Sequence, residues 1–356
     1  MADSKPNPPV AEAAPEQPLT AEILPDDDPA VTDDDLSTNA TESLSSSVLA
    51  YRTIQGRTYH SERGNAHYWG SNDALQNESM DIKYADNSSQ KATHIDFDSH
   101  HLLTLAIDGK LHMAPLEKDI EKAVDIGTGT GIWAIDFADE NPGCKVIGTD
   151  ISRIQPDWVP PNLEFIIDDC TQEWTFPPNS VDFVHMRYLT GSLPDWNALF
   201  RSAFTCCKPG GYVESFEGSP WLESDDGTVL ESSALATWGK LFVKGGEKLG
   251  RTFTVVDEQL QRKGMEAAGF TDIQEFTRKL PLGTWARDPK LKEIGRFAQA
   301  ALEKDIEGYV LYVANLQGWS KEELAAYYEK FYREMKDHKI HSYFRIKVVW
   351  AKKPNA

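Results

Sequence analysis

From Lys122 onward, short apolar runs alternate with stretches whose apolar residues recur every three or four positions. This is the pattern of buried strands separated by helices. The runs AVDI (123–126), KVIGTD (145–150), LEFIIDD (163–169), VDFVHMR (181–187) and GYVESFE (211–217) predict five strands. TDIQEFTRKL (271–280) and SYFRIKVVWAKKP (342–354) predict two more. IWAIDFAD (132–139), NALFRSAFTCC (197–207) and DEQLQRKGMEAAGF (257–270) predict helices, the second stopped by Pro209-Gly210-Gly211. Residues 288–337 are predicted helical, with Leu291, Ile294, Phe297, Ala298, Ala301 and Leu302 on one face. Ser320 followed by Glu323 has the form of a capping box. Strands alternating with helices need crossover connections, so the pattern predicts an α/β fold with a mostly parallel sheet.

The chain before this region divides in two. Residues 1–48 are rich in Pro, Ala, Ser, Thr, Asp and Glu and poor in large apolar residues. Such a segment cannot bury enough surface to offset its ordering entropy, so a disordered acidic tail is expected. Residues 49–114 bring in Tyr51, Tyr59, Tyr68, Trp69 and Tyr84, and then a helix-like spacing at Phe97, Leu102, Leu105 and Ala106. They read as an N-terminal extension packed on a main domain of residues 115–356.

Charge removes some function classes. The net charge is −20, and residues 1–48, with 11 acidic residues and one Lys, carry half of it. Neither part offers the basic footprint of a nucleic-acid binder. No apolar run approaches the roughly 20 residues of a membrane span. The polar, Pro-rich start lacks the basic-then-apolar order of a secretory leader. The expected compartment is therefore cytoplasm or nucleus, with no nucleic-acid or membrane partner. The four cysteines, at 144, 170, 206 and 207, form no C-x-x-C pair, so no metal is expected.

The candidate chemistry centres on Asp125-Ile126-Gly127-Thr128-Gly129-Thr130-Gly131, between a predicted strand and a predicted helix. Glycines there allow a sharp turn and close approach of a ligand to the backbone, and the helix start offers unpaired N–H groups. A dinucleotide fingerprint would place its third glycine at residue 132, which is Ile. Asp150 ends the second strand, where a carboxylate can accept from both ribose hydroxyls of a nucleoside; alone, that also fits NAD. Asp168-Asp169-Cys170 ends the third strand, and Lys208-Pro209-Gly210-Gly211-Tyr212 precedes the fifth.

Together these features resemble the motifs of class I S-adenosylmethionine (SAM)-dependent methyltransferases. GTGTGIWAIDFADENPGCKVIGTDISRIQPDWVPPNLEFIIDD, EW (173–174), RYLTGSLPDW (187–196) and DDGT (225–228) are similar to the fungal LaeA-like group, from about residue 50 to the end. That group includes secondary-metabolism regulators that work with velvet-domain proteins, and relatives inside biosynthetic pathways. The resemblance implies a Rossmann-like, seven-stranded, mostly parallel sheet whose last strand is antiparallel, and SAM as cofactor. Carried over by position, it implies a cofactor set of Asp125, Gly127, Gly129, Gly131, Asp150, Asp169 and Cys170. Asp125 would hold the loop or the methionine amino group. Asp169 is preferred to Asp168 as acceptor from the adenine amino group, with Cys170 and Ile151 flanking the ring. Met186 and Arg187, just past the fourth strand, would face the methyl-delivery region.

No catalytic residue follows from the sequence. A hydroxyl acceptor would want a general base, and His185, His100 and His101 are candidates. His185 lies mid-strand, where a side chain more often faces the core; His100 and His101 precede an apolar helix and are more often capping or surface residues. A helical insertion over 284–337, rich in Tyr and Trp, is a candidate cover for the pocket together with residues 50–115, although aromatic residues at helical spacing more often form only a core. Three readings remain. The first is a methyltransferase acting on a small natural product or a regulatory protein. The second is a SAM-binding scaffold beside a velvet-domain partner. The third is a NAD-dependent oxidoreductase, which Ile132 and the Pro-Gly-Gly turn oppose.

Overall fold

The computed structural model describes residues 51–60, 68–80 and 99–355. The acidic tail expected over 1–48 lies outside them. In chain order the elements are β1 (Arg52–Ile54), β2 (Arg57–Tyr59), α1 (Ala74–Met80), α2 (Ser99–Ala106), β3 (Lys122–Ile126), α3 (Ile132–Glu140), β4 (Lys145–Asp150), β5 (Leu163–Ile167) and β6 (Val181–Arg187). They continue with α4 (Trp196–Cys206), β7 (Cys207–Gly218), α5 (Ala234–Leu249), α6 (Leu260–Ala268), β8 (Thr271–Pro281), α7 (Pro289–Leu316), α8 (Lys321–Met335) and β9 (Tyr343–Lys352).

Seven strands form one sheet in the order β5-β4-β3-β6-β7-β9-β8. The pairs β4–β5, β3–β4, β3–β6 and β6–β7 are parallel, and β9 runs antiparallel between β7 and β8. The sheet is therefore the expected class I methyltransferase arrangement with an antiparallel last strand. Both faces of its centre are covered, which is why its strands read as continuous apolar runs rather than alternations. Val124, Val184 and Met186 join α4 and α6 on one side, through Phe200, Ala203 and Met265. Ala123 and Phe183 join Trp133 and Phe137 of α3 on the other. Among the described residues no helix is long and apolar enough to cross a membrane.

The structure adds β1, β2 and α1, which the sequence pattern did not predict, and within the main domain departs from that pattern in three places. The Lys208–Gly211 stretch is a bulge inside β7 rather than a turn before it: pairing with β6 shifts between Val181 and Phe183, and Gly210 takes φ +82°. The run 288–337 is two helices, the first broken at Asp305 (φ −152°, ψ 59°), while Ser320 and Glu323 form the predicted capping box. Helix α5 has no counterpart among the predicted elements. Together α2, α5, α7 and α8 build a second apolar cluster over the far end of the sheet.

The N-terminal hairpin β1–β2 is tied to this helical layer by one buried arginine. Arg57 donates to both carboxylate oxygens of Asp305 (2.7 and 2.6 Å) and to both of Asp73 (2.6 and 2.8 Å). Asp305 in turn accepts from the Gly308 N–H (2.9 Å), capping the second half of α7.

Candidate active site

The loop after β3 is shaped by three glycines with left-handed backbone: Gly127 (φ +69°), Gly129 (φ +60°) and Gly131 (φ +87°). They do different things. A Cβ on Gly127 would lie 2.4 Å from Leu189, and one on Gly131 2.2 Å from Phe165, so these two allow the loop to pack. A Cβ on Gly129 would meet nothing within 4 Å, so the backbone there faces open space. That space is a cavity of about 340 Å³ at the carboxyl ends of the parallel strands, where open α/β sheets bind ligands.

Beneath the loop lies a buried pair. The Thr128 hydroxyl donates to Asp125 Oδ2 (2.6 Å), and His185 Nδ1 shares a hydrogen bond with Asp125 Oδ1 (2.7 Å). The His185 ring stacks on Trp133 with centroids 3.6 Å apart. Burial lowers its pKa and keeps it neutral. His185 is not on the cavity wall, so it orients Asp125 and is not positioned to take a proton from an acceptor.

Asp150, at the end of β4, lines the cavity and accepts from the Gly129 N–H (2.8 Å) and the Ser152 N–H (2.9 Å). Burial pushes its pKa up to about 6, against those hydrogen bonds and with help from nearby Asp125. Ile151 and Cys170 line the same region, and burial pushes the Cys170 thiol up to about 12.

Three expected residues are placed otherwise. Asp168, not Asp169, lies on the wall. Asp169 closes a local turn, its Oδ1 accepting from the Thr171 N–H (2.9 Å) and hydroxyl (2.6 Å). Met186 points through the opposite face of β6 into the core with no exposed surface, because strand neighbours alternate sides. Gly131 sits behind the loop against Phe165 rather than on the wall.

Arg187 does reach the cavity. Its Nη2 is 3.1 Å from His100 Nδ1, and His100 Nε2 is 3.0 Å from Asp136 Oδ2. Burial lowers the His100 pKa, so the ring is neutral and Nδ1 can accept from the guanidinium. His101 faces elsewhere, against Phe297.

The expected cover is present in part in the other half of the cavity: Trp69 of the N-terminal extension and Tyr309 of the helical insertion line it, whereas Trp238, Phe242 and Phe253, which also line it, were not legible as parts of the cavity. Trp69 packs edge-on against Phe242 and Phe253 (5.1 and 5.4 Å) and donates its indole N–H to the Thr190 carbonyl (2.8 Å). Tyr188 also lines the cavity, at φ +55°, a conformation costly for a bulky residue. The turn that follows is held by Glu217, whose carboxyl accepts from the Leu189 and Thr190 N–H groups (3.0 and 3.1 Å). The signal for this turn was the RYLTGS stretch, which marks a position but not a conformation.

Comparison with known proteins places these residues in context. A family described as "Methyltransferase domain" matches residues 99–275. Methyltransferase pytC of Aspergillus terreus is 33% identical over 314 residues, which cover 88% of this chain and 91% of the relative. The secondary metabolism regulator LAE1 of Cochliobolus heterostrophus is 33% identical over 262 residues, 72% of this chain and 85% of the relative. Among solved structures, the phosphoethanolamine N-methyltransferase 2 of Haemonchus contortus with S-adenosyl-L-methionine is 19% identical. Its TM-score is 0.43, and the match covers 72% of this chain and 53% of that one.

Proposed function

We propose, from the premise that this chain belongs to the fungal LaeA-like family of SAM-dependent methyltransferases, that it methylates a small uncharged molecule of secondary metabolism. SAM is its cofactor. One observation carries the choice of acceptor: a single cavity runs from the glycine loop to an aromatic wall. The acidic and cationic side chains that line it, Asp125, Asp150, Asp168 and Arg187, all belong to the ends of β3 to β6. A lysine side chain as acceptor would enter a half-cavity without a carboxylate among its described wall residues, at a desolvation cost.

The donor and acceptor set fits the cofactor. Asp150, already held by two backbone N–H groups, accepts from the ribose hydroxyls. The open backbone at Gly129 lets the nucleoside lie close. Ile151 and Cys170 flank the adenine, and Asp168 takes the role first given to Asp169. Arg187, oriented by His100 and Asp136, meets the methionine carboxylate. Asp125 acts through Thr128 and the loop. When bound, the cofactor supplies an electrophilic methyl group on a sulfonium. The protein's part is to exclude water and hold the acceptor in line, which in favourable cases supplies about 7–11 kcal/mol. The ring nitrogens of His100 are engaged by Asp136 and Arg187, so its assigned role is to orient the arginine.

The test is calorimetric titration with S-adenosylhomocysteine, followed by incubation with SAM and extracts of fungal metabolites. Mass spectrometry would then look for products heavier by one methylene. Homocysteine-nucleoside binding with methylated small molecules is the expected result; methylated protein with no small-molecule product would sink the acceptor choice.

The similarity to a relative named a secondary metabolism regulator favours a regulatory role; the second reading is therefore the non-catalytic SAM-binding scaffold beside a velvet-domain protein that the family resemblance implies. In cells, a cofactor-binding variant such as Asp150→Asn keeps its function under the scaffold reading and loses it under the enzymatic one.

A further inference from the structure

Two residues of the cavity wall carry buried polar side-chain atoms with no hydrogen-bond partner among the described residues. Asn72 is 6% exposed, and neither its Nδ2 nor its Oδ1 has a hydrogen-bond partner among the described residues. Ser192 is 7% exposed, and its hydroxyl is likewise unpartnered. Burying an amide without partners is unfavourable, and native proteins rarely leave one so without a reason.

Asn72 is not loosely placed. Its own N–H donates to the Thr58 carbonyl (2.9 Å). On one side Ser71 accepts from Arg57 (2.9 Å), and on the other Asp73 takes two bonds from the same guanidinium. Three residues earlier, Trp69 is pinned to the Thr190 carbonyl and wedged between Phe242 and Phe253. The backbone on both sides of the amide is thus fixed before any ligand arrives. Both amide atoms are shielded from the cavity as the side chain now lies, so a turn about its own bonds is what presents them; a buried donor and acceptor that pair only with a ligand give strong discrimination against analogues lacking the matching groups.

The surroundings restrict what that ligand can be. The wall beside Trp69 is aromatic and uncharged, which suits a flat, neutral ring system. A primary amide offers one N–H and one carbonyl side by side. Its complement is a group that presents an acceptor and a donor side by side in one plane, as a cyclic amide does.

Resting on the small-molecule reading above, we propose that Asn72 is the specificity-determining residue of an acceptor site. That site takes neutral, flat ring systems bearing a lactam or an equivalent adjacent donor–acceptor pair. Nδ2 donates to the ligand carbonyl, and Oδ1 accepts from its N–H. Ser192, another residue of the wall, offers a hydroxyl as a second polar group.

The experiment uses the full chain saturated with S-adenosylhomocysteine and three probes of similar size. These are 2-quinolone, which has the lactam; quinoline, which keeps an acceptor nitrogen but has neither the N–H nor the carbonyl; and quinoline-2-carboxylate, which is flat but charged. Calorimetry should give 2-quinolone at least about tenfold tighter than quinoline, and the carboxylate weakest. Asn72→Leu should abolish that preference while quinoline binding persists, and Asn72→Asp should also lose it because the donor is gone. Saturation of each variant by S-adenosylhomocysteine checks that the cofactor half is folded. Equal affinity of 2-quinolone and quinoline, a preference that survives Asn72→Leu, or no probe binding at all would overturn the proposal. Failure of S-adenosylhomocysteine itself to bind would instead count against the methyltransferase reading.

Discussion

Asp150 is asked to do two things that conflict. Its burial favours the neutral acid and lifts its pKa to about 6, yet ribose hydroxyls donate best to a carboxylate. Binding should therefore be strongest where the group is ionised. Titrations with S-adenosylhomocysteine are expected to give a constant affinity above about pH 7, weakening toward about tenfold per pH unit below 6. Asp150→Asn should bind about ten- to a hundredfold more weakly at pH 7.5 and lose the pH dependence. An unchanged affinity in that variant would remove the ribose from this position. Asp150 was legible because the end of a parallel strand beside a glycine loop is where a nucleoside meets a side chain. Its counterpart on β5 was less so. Asp168 and Asp169 are adjacent carboxylates just past the strand, and only the local turn closed by Thr171 decides which one faces the cavity. Met186 failed for a simpler reason: it and Arg187 lie on opposite faces of β6, so only one of the two could reach the site.

Elements were legible where burial on both faces made the chain uniformly apolar, and not where packing overrode propensity. Helix α5 contains Gly239, Gly245 and Gly246, each of which disfavours a helix by about 1 kcal/mol relative to Ala. Each is there because something presses on it. A Cβ would come within 2.3 Å of Trp221 at Gly239, 2.8 Å of Val313 at Gly245 and 2.4 Å of the Arg251 carbonyl at Gly246. Trp221 and Val313 lie outside the helix and Arg251 just past its end, so the helix's own pattern did not announce it. The break in α7 is similar: Asp305 reads as one more polar helical residue until Arg57, 248 positions away, is seen to grip it. Asp305 both caps the second half of the helix and balances a buried guanidinium. Asp305→Ala should therefore cost on the order of 3 kcal/mol in urea unfolding, combining the lost cap and the lost charged hydrogen bonds. Because Arg57 is left underpaired by that change, the double variant Arg57→Met/Asp305→Ala should be more stable than the two single losses added together. Strict additivity would mean that the hairpin and the helix are not coupled through this pair.

At the scale of the whole molecule, two buried glutamates on β7 fasten the pieces that surround the cavity. Glu214 Oε2 accepts from the Met113 and Ala114 N–H groups (2.8 and 2.6 Å), joining the segment after α2 to the sheet. Glu217 holds the turn that carries Tyr188. Neither has a cation among its bonded partners, and burial raises their pKa values to about 7 and about 8. The direction of the pH effect follows from linkage. In the unfolded chain both carboxyls ionise near their ordinary value of 4.5, while the folded chain keeps its protons to higher pH. The folded state therefore binds more protons across that interval, and the stability from these groups, full below 4.5, is lost as pH rises through 7 and 8. Glu214→Gln tests this cleanly. The amide oxygen can accept both N–H bonds that Oε2 accepts now, and the amide nitrogen replaces Oε1, which has no partner among the described residues. The variant should melt with the parent near pH 5 and above it at pH 8.5, each kcal/mol being worth roughly 2–4 °C. The opposite trend, a variant that loses ground as pH rises, would mean that Glu214 is ionised and paired in solution. An interior strand whose two carboxyls stay protonated in the folded state also couples stability to cofactor binding. The same rise in pH that ionises Asp150 for cofactor binding loosens the β7 anchors of the 113–114 and 188–190 segments. The pH range in which the protein both binds its nucleoside and keeps its wall in place is therefore bounded on both sides, from about 6 to about 8.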